Sequence, residues 1–563
     1  MSRLEQVKSV AIIGAGAAGA ISAAAFKAEN YFEKIRVFER RETAGGTWIY
    51  DRDPKPSLPI LPGALPHNVD PPLEIPSRLP KITSPNQQER FSQTPIYDSL
   101  TTNVPDIAMC FSDQRFAHGI FVPHHIPRQY IENYFSTHDL DDILVLNTTV
   151  EDVSQIRSSS SRLGERWKLT LRKYDCFRHV DIWWEEEFDA VILANGHYSV
   201  PFIPEVKGLK AYSEKYPDRV QHSKYYRSPI QYKAQKLLVI GNSASGHDVA
   251  AEVVSTAQLP VYNSIRSKSR WDGDEPPQGI AWKPVIREFH LDGRIEFEDG
   301  SYLDDIDKVI YCTGYKASYP FWNEKVNGRA LYDYEGNKII KTYWHTFFQD
   351  FQTLAIVGLP RVLTFRSFEY QAIALARLYS GRNKVPLPPL SEQQKWESER
   401  KEKREKEHKK FHDIEWETGE TKEWLGRFFE IAGLGTLTGD GRVPPVLGKD
   451  LVWAIEHLRK YPEPGKDYTV ERAGEEFRAC NASPSVPKTE PNFAIEQLEK
   501  DPETGGEKPT QKAEEEVKTV EHWTIYPMSG EVVLTDHIDA QLRAREISEE
   551  DSSEWEVVER VRA

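Results

Sequence analysis

The chain predicts an α/β fold built from two Rossmann-like dinucleotide-binding domains, the second inserted in the first, followed by a disordered acidic C-terminal tail. Three observations carry this. Two glycine-rich turns each follow an apolar run, each is followed by a helical stretch and a further strand, and the residues just beyond those strands differ in sign.

The first unit opens with Val10 to Ile13, the turn Gly14-Ala15-Gly16-Ala17-Ala18-Gly19, an alanine-rich helix, the strand Ile35 to Phe38 and then Glu39. A pyrophosphate reaches main-chain N–H groups and the positive end of a helix only where side chains are missing, so glycines stand between strand and helix. A carboxylate after the next strand accepts hydrogen bonds from both ribose hydroxyls, so Glu39 suits FAD or NAD. The second unit repeats the pattern with Leu237 to Ile240, the turn Gly241-Asn242-Ser243-Ala244-Ser245-Gly246, a helical stretch His247 to Ala257, the strand Pro260 to Tyr262 and then Arg266, with Lys268 close by. Ser243 stands where the middle glycine is usual. A 2′-phosphate would be repelled by a carboxylate and needs a cation, so Arg266 and Lys268 suit NADPH.

Eleven prolines crowd Asp51 to Pro95 and predict an irregular excursion, since proline lacks the N–H that a helix or sheet interior uses. Residues 128 to 138 have helical spacing, and Ile143 to Leu146 reads as a buried strand. Trp167 to Leu171 and Ile182 to Phe188 alternate like antiparallel strands. Val191 to Ala194 is a core strand ending at Asn195-Gly196, and Val200 to Pro204 is a stiff exit from the first domain. Val309 to Tyr311, ending at Cys312-Thr313-Gly314-Tyr315, mirrors that ending and is expected to return the chain to the first domain. The expected division is therefore 1–206 for the first part of the first domain, 207–303 for the second domain, 304–480 for the remainder with a helical extension, and 481–563 for the tail. Within the third part, Leu354 to Val357 is a buried strand preceding a helix with Glu369 and Gln371. Ser391 to Lys410 reads as a solvated helix, and 411–470 as folded around Trp424, Phe428 and Trp453. Past Asn481 proline, glutamate and lysine dominate, with apolar islands at Val520 to Leu534 and Trp555 to Val561.

A chain of 563 residues predicts two or three domains, and a formal charge of −15 excludes a nucleic-acid backbone as partner. The tail holds 20 acids against 9 bases, so most of the negative charge lies there. Cys110, Cys176, Cys312 and Cys480 are far apart with no C-x-x-C pair, which fits reduced thiols in the cytoplasm and excludes a dithiol reductase. Ser9 to Phe26 is free of charges, yet it is mostly small residues and its glycines fall where a nucleotide turn needs them, so no membrane span is expected. Assembly as a homo-oligomer is left open.

Taken with Gly45-Gly46-Thr47-Trp48, Tyr97 to Pro105, Tyr216-x-Asp218-x-x-x-His222-x-x-x-Tyr226, Thr313-Gly314 and Glu369-x-Gln371, the chain resembles the flavin-containing monooxygenases over residues 10 to about 375, fungal members above all. Related Baeyer–Villiger enzymes end the His222 motif in tryptophan, so Tyr226 points to oxygenation of a nitrogen or sulfur atom. Tyr216, Asp218 and Asn195 depart from the family's phenylalanine, glycine and threonine. The resemblance implies a small nucleophilic substrate, O2, FAD and NADPH, with oxygen transfer through a C4a-hydroperoxyflavin. It implies Asn103 as the catalytic residue, a neutral amide serving flavin and nicotinamide. It implies cofactor contacts at Gly14, Gly16, Ala17, Ala18, Gly19, Glu39, Arg40, Gly46, Thr47, Trp48, Thr102, Asn103, Val150, Gly241, Ser243, Ser245, Gly246, Arg266, Lys268, Thr313 and Gly314, and no metal. Under this reading His222 orients loops rather than moving protons, while Glu369 and Gln371 either line the flavin pocket or satisfy one another. The alternatives are a Baeyer–Villiger or N-hydroxylating relative, an NADPH oxidase, and a non-catalytic nucleotide-binding flavoprotein.

Overall fold

The computed structural model describes residues 7–53, 61–117, 119–157, 165–269, 272–360, 362–434, 439–458 and 460, together with the backbone of one strand pair near the C-terminus. The charge-free N-terminal segment is split between strand β1 (Ser9–Ile13) and helix α1 (Ala17–Ala28), followed by strand β2 (Lys34–Phe38). Strand β1 is buried along its whole length because it lies inside a parallel sheet: Val10 faces Ile35 of β2 on one side and Ala190 on the other. Among the described residues, no helix is long and apolar enough to cross a membrane.

The first sheet has seven strands, in the order Thr342–Tyr343, Phe347–Phe348, Leu354–Ile356, Ala190–Leu193, β1, β2 and Leu144–Val145. The last of these is half-buried rather than buried, since it forms the sheet's edge. Inserted between Ala190–Leu193 and Leu354–Ile356 in the chain is a second sheet, all parallel, in the order Val220–His222, Lys308–Tyr311, β3 (Lys236–Ile240), β4 (Gln258–Ser264) and Ile280–Lys283. Helix α2 (Ala244–Val253) joins β3 to β4.

Lys308–Tyr311 therefore does not return the chain to the first domain. It pairs with both Val220–His222 and β3 inside the second sheet, and the return begins at Tyr315–Lys316, which pairs antiparallel with Val200–Pro201. Its apolar run specified a buried strand without specifying which sheet buries it.

A four-stranded antiparallel sheet (Lys81–Thr83, Val180–Phe188, Glu165–Asp175, Thr148–Arg157) contains both alternating segments and, among the described residues, the one strand within the proline-rich excursion. Helix α3 (Phe365–Tyr379) packs on α1 and is buried at nearly every residue, sharing a core with Phe26, Trp424 and Phe428. Leu390–Lys406 is the solvated helix, with Arg404 alone buried. Helices Glu420–Ala432 and Lys449–His457 complete the folded extension. In the tail one antiparallel strand pair is described, Trp523–Tyr526 with Glu531–Leu534, inside the apolar island Val520 to Leu534. The rest of the tail expectation, including Trp555 to Val561, lies outside the described residues.

Candidate cofactor and active site

The two glycine turns have the same local geometry. Gly14 and Gly241 both have φ of 105°. A Cβ on Gly14 would lie 2.7 Å from the Ala194 carbonyl oxygen, and one on Gly241 2.8 Å from that of Cys312. A Cβ on Gly19 would lie 1.9 Å from the Gly14 oxygen, and one on Gly246 2.1 Å from the Gly241 oxygen. In each unit the first glycine lets the turn pass the neighbouring strand's end, and the third lets the helix close on the turn. The middle position is less constrained: a Cβ on Gly16 would meet Gly46 Cα at 3.4 Å, and Ser243 is accommodated with its side chain exposed. Neither α1 nor α2 has a side-chain cap or an acid in its first turn, so both N-termini present N–H groups that suit phosphate oxygens. Ala17 and Ala18 are buried in the first turn of α1, and Ser245 is half-buried in that of α2.

Glu39 is buried, and its carboxylate accepts from Ala15 N–H at 2.8 Å and Arg41 N–H at 3.0 Å. A carboxylate with two oxygens retains acceptor capacity beyond these bonds. Arg40 is exposed and donates to the Phe91 carbonyl at 3.3 Å. Val150 lies in the core beside Ala11, Ile13 and Phe38. Arg266 is exposed two residues past β4, with no acidic partner among the described residues. Lys268, by contrast, pairs with Asp274 at 3.3 Å. Asn242 ties the loop carrying them to the nucleotide turn, donating to Ser267 O at 2.8 Å and Asp272 Oδ2 at 2.5 Å.

Gly45 and Gly46 take φ of 134° and 56°, and Gly45 N–H donates to Ala15 O at 3.0 Å. This turn lies against Gly16, where a Cβ on Gly46 would come within 2.7 Å of Gly16 Cα. Thr47 and Trp48 follow in a short helix, with the Trp48 ring edge-on to Phe365 at 6.3 Å. Thr102 is buried, its hydroxyl accepting from Val122 N–H at 3.0 Å while its own N–H donates to Val122 O at 2.9 Å. That clamp leaves the next side chain, Asn103, exposed and without a hydrogen bond among the described residues.

The two linkers between the sheets lock onto each other. Thr313 Oγ1 donates to Phe202 O, and Asn195 Nδ2 donates to Ser318 O at 3.1 Å. Gly314 O accepts from Phe202 N–H at 3.0 Å and from His222 Nε2 at 3.0 Å. His222 Nδ1 accepts from Lys224 N–H at 3.0 Å, which places the ring proton on Nε2. Burial drives its pKa down to about 3, so the ring stays neutral. It braces the linker and stays uncharged near neutral pH.

Sequence reasoning missed Lys224 and Arg227, which flank Tyr226 in the same motif. Lys224 is buried, donates to Ser199 O, and burial lowers its pKa to about 7. Arg227 donates to Asp51 O at 2.6 Å, Lys224 O at 2.9 Å, Tyr226 O at 2.7 Å and Thr94 O at 3.2 Å. Their signal was only adjacency to the motif, since the carbonyls of Ser199, Asp51 and Thr94 that they also bind lie 25, 176 and 133 residues away in sequence.

Glu369 and Gln371 are buried and satisfied, but not by each other. Glu369 accepts from Ser112 N–H at 2.8 Å, Ser112 Oγ at 2.6 Å and Arg442 at 3.1 Å. Gln371 accepts from Gly358 N–H at 3.1 Å and donates to Thr346 Oγ1 at 2.6 Å and Leu359 O at 2.7 Å. Gln371 thus fixes the turn whose Gly358 faces Ala18, a Cβ there falling 3.6 Å from the Ala18 methyl.

The backbone cradles, the carboxylate beyond one and the guanidinium beyond the other fit two dinucleotides of different kinds. The chain matches the family model described as flavin-binding monooxygenase-like over residues 83–271 and 278–432, and that of a NAD(P)-binding Rossmann-like domain over residues 12–72. It is 28% identical over 441 residues to the flavin-containing monooxygenase iboF of Amanita muscaria, covering 68% of this chain and 81% of that protein. It is 30% identical over 393 residues to the flavin-containing monooxygenase FMO GS-OX-like 8 of Arabidopsis thaliana, covering 68% of this chain and 77% of that one. Among solved structures, S-allyl-L-cysteine S-oxygenase from Allium sativum shares the fold with a TM-score of 0.64 at 23% identity, over 84% of this chain and 98% of its own.

Proposed function

Because the chain belongs to the flavin-binding monooxygenase-like family, we propose that it transfers one atom of O2 to a nucleophilic nitrogen or sulfur of a small molecule. FAD and NADPH are the cofactors of this family member. The second oxygen atom leaves as water, with NADPH and a proton supplying the two electrons and the balance of hydrogen. FAD, when bound, supplies hydride acceptance and oxygen activation that no side chain of the protein provides.

The observation that carries the reading is the pair of matched cradles with opposite charges beyond them. In this reading Gly14, Gly16 and Gly19 admit the FAD pyrophosphate to the N-terminus of α1, and Gly46, Thr47 and Trp48 flank it. Glu39 takes the ribose hydroxyls. Gly241, Ser243, Ser245 and Gly246 do the same for NADPH, with Arg266 on its 2′-phosphate. Asn103 would offer an uncommitted amide to the flavin and nicotinamide, donating and accepting without adding a charge. His222, held neutral, keeps the linker in place and transfers no proton.

Tyr226 supports oxygenation of nitrogen or sulfur rather than insertion beside a ketone. The test is incubation of the FAD-loaded protein with NADPH, O2 and, in parallel, a thioether, a tertiary amine and a cyclic ketone. One oxygen gained per NADPH on the thioether or amine is expected by mass spectrometry. Lactone from the ketone alone, or peroxide equal to the NADPH consumed with every substrate, overturns the reading.

A further inference from the structure

Helix α2 touches two things at once. Its N-terminus closes the Gly241–Gly246 turn. One turn further, Asp248 and Glu252 stand four residues apart on a single face, and that face meets the segment leading to Asn103. Tyr97 Oη donates to Asp248 Oδ2, and Ser99 Oγ donates to Glu252 Oε1. Tyr226 Oη donates to the other oxygen of Glu252 at 2.6 Å, and the Tyr97 and Tyr226 rings pack edge-on at 5.7 Å. From the C-terminal extension, Lys460 Nζ lies 3.7 Å from Asp248 Oδ2 and donates to the Thr101 carbonyl at 3.4 Å. Helix Lys449–His457, just before Lys460, packs on Asp106–Met109, on the far side of Asn103 in the chain.

These bonds are specific and partly out of water. Tyr97 and Tyr226 are buried, and burial pushes the Glu252 carboxyl up. Acceptors on the helix and donors on the loop are matched one to one.

We propose that Asp248 and Glu252 are positioning residues that transmit NADP(H) occupancy to Asn103. A dinucleotide seated on the α2 N-terminus steadies the helix, and the two carboxylates steady Tyr97, Ser99 and Thr101, which set the Asn103 amide. This inference rests on the functional reading above. It assigns the helix a task beyond binding phosphate, namely holding the oxygen-transfer amide in register for as long as nucleotide stays bound. Loss of the carboxylates then leaves nucleotide binding and flavin reduction in place while oxygen is wasted as peroxide.

The experiment is hydrogen exchange on the FAD-loaded holoenzyme with and without NADP+, followed through residues 97–104, alongside peroxide released per NADPH consumed. In the wild-type chain NADP+ is expected to slow exchange in this segment. In Asp248→Asn, Glu252→Gln and the milder Tyr97→Phe, that slowing is expected to shrink about tenfold, the size of one or two lost buried hydrogen bonds. Peroxide per NADPH rises in the same order of variants, while the KM for NADPH changes by less than about threefold, since none of the three lines the turn. Tyr97→Phe keeps the ring packing, so it reports on the hydrogen bond even if either carboxamide variant folds poorly. NADP+ protection and peroxide yield unchanged in Tyr97→Phe and in the folded carboxamide variants overturn the inference. A wild-type chain that takes up no flavin overturns the functional reading instead, and its lack of colour tells the two failures apart.

Discussion

Arg266 is the side chain on which the choice between NADPH and NADH turns. It stands exposed beyond β4 with no acid against it among the described residues, whereas its neighbour Lys268 is engaged by Asp274. Replacing Arg266 with alanine is expected to raise the KM for NADPH by about ten- to a hundredfold, the size of lost charge-assisted hydrogen bonds. NADH, lacking the 2′-phosphate, is expected to stay nearly unchanged, and steady-state kinetics with both nucleotides checks this. His222 carries a prediction of another kind. Its pKa is about 3 in the fold against about 6.5 in an unfolded chain. The unfolded state therefore binds the proton first. This residue's contribution to stability is whole above about pH 6.5 and is lost as pH falls toward about 3, with a slope of up to about 1.4 kcal/mol per pH unit. His345, buried and shifted the same way by burial, adds to the trend. His222→Gln, which cannot titrate, is expected to flatten the curve by one proton in urea unfolding at several pH values.

At the scale of elements, the contact between α1 and α3 is closed by charge as well as by apolar packing. Arg377, fully buried at the end of α3, lies 3.2 Å from Glu29, the C-cap of α1, and Arg382 approaches the same carboxylate at 2.9 Å. Burial pushes Glu29 up and the two guanidiniums pull it back. Arg377→Met removes one partner and is expected to cost about 3–5 kcal/mol, read as a fall in denaturant midpoint, because the remaining charge stays buried. The two nucleotide units were legible from the chain because their glycines answer to contacts within about twenty residues or to the adjoining strand. Strand Lys308–Tyr311 was legible as a strand but not as a member of the second sheet, since uniform burial looks the same in either. Leu144–Val145 read as buried and lies at an edge, because apolar runs do not report how many neighbours a strand has. Asn103, Glu39 and Arg266 were singled out by motif and their roles stand as proposals, while the partners of Tyr97, Arg227 and Glu369 were not legible, because they lie 151, 176 and 257 residues away in sequence.

At the scale of the molecule, the chain divides into two units, residues 1–465 and 466–563. Both sheets and every candidate cofactor residue belong to the first. A chain ending at residue 465 is therefore expected to keep its flavin spectrum and its melting temperature within about 3 °C, the shift of less than about 1 kcal/mol. One ending at residue 438 loses Arg442, which bridges Asp113 at 2.8 Å and Glu369 at 3.1 Å, and is expected to melt several degrees lower, by calorimetry. The paired linkers have a consequence for movement. A domain hung from one strand of chain is free to swivel about it. Here two strands, Val200–Pro201 and Tyr315–Lys316, run side by side in opposite directions, stitched by Thr313, Asn195 and His222. Twisting one against the other breaks the stitches, whereas bending both together does not. The nucleotide domain is thus held to its neighbour through two stitched strands, which oppose a swivel about either one alone.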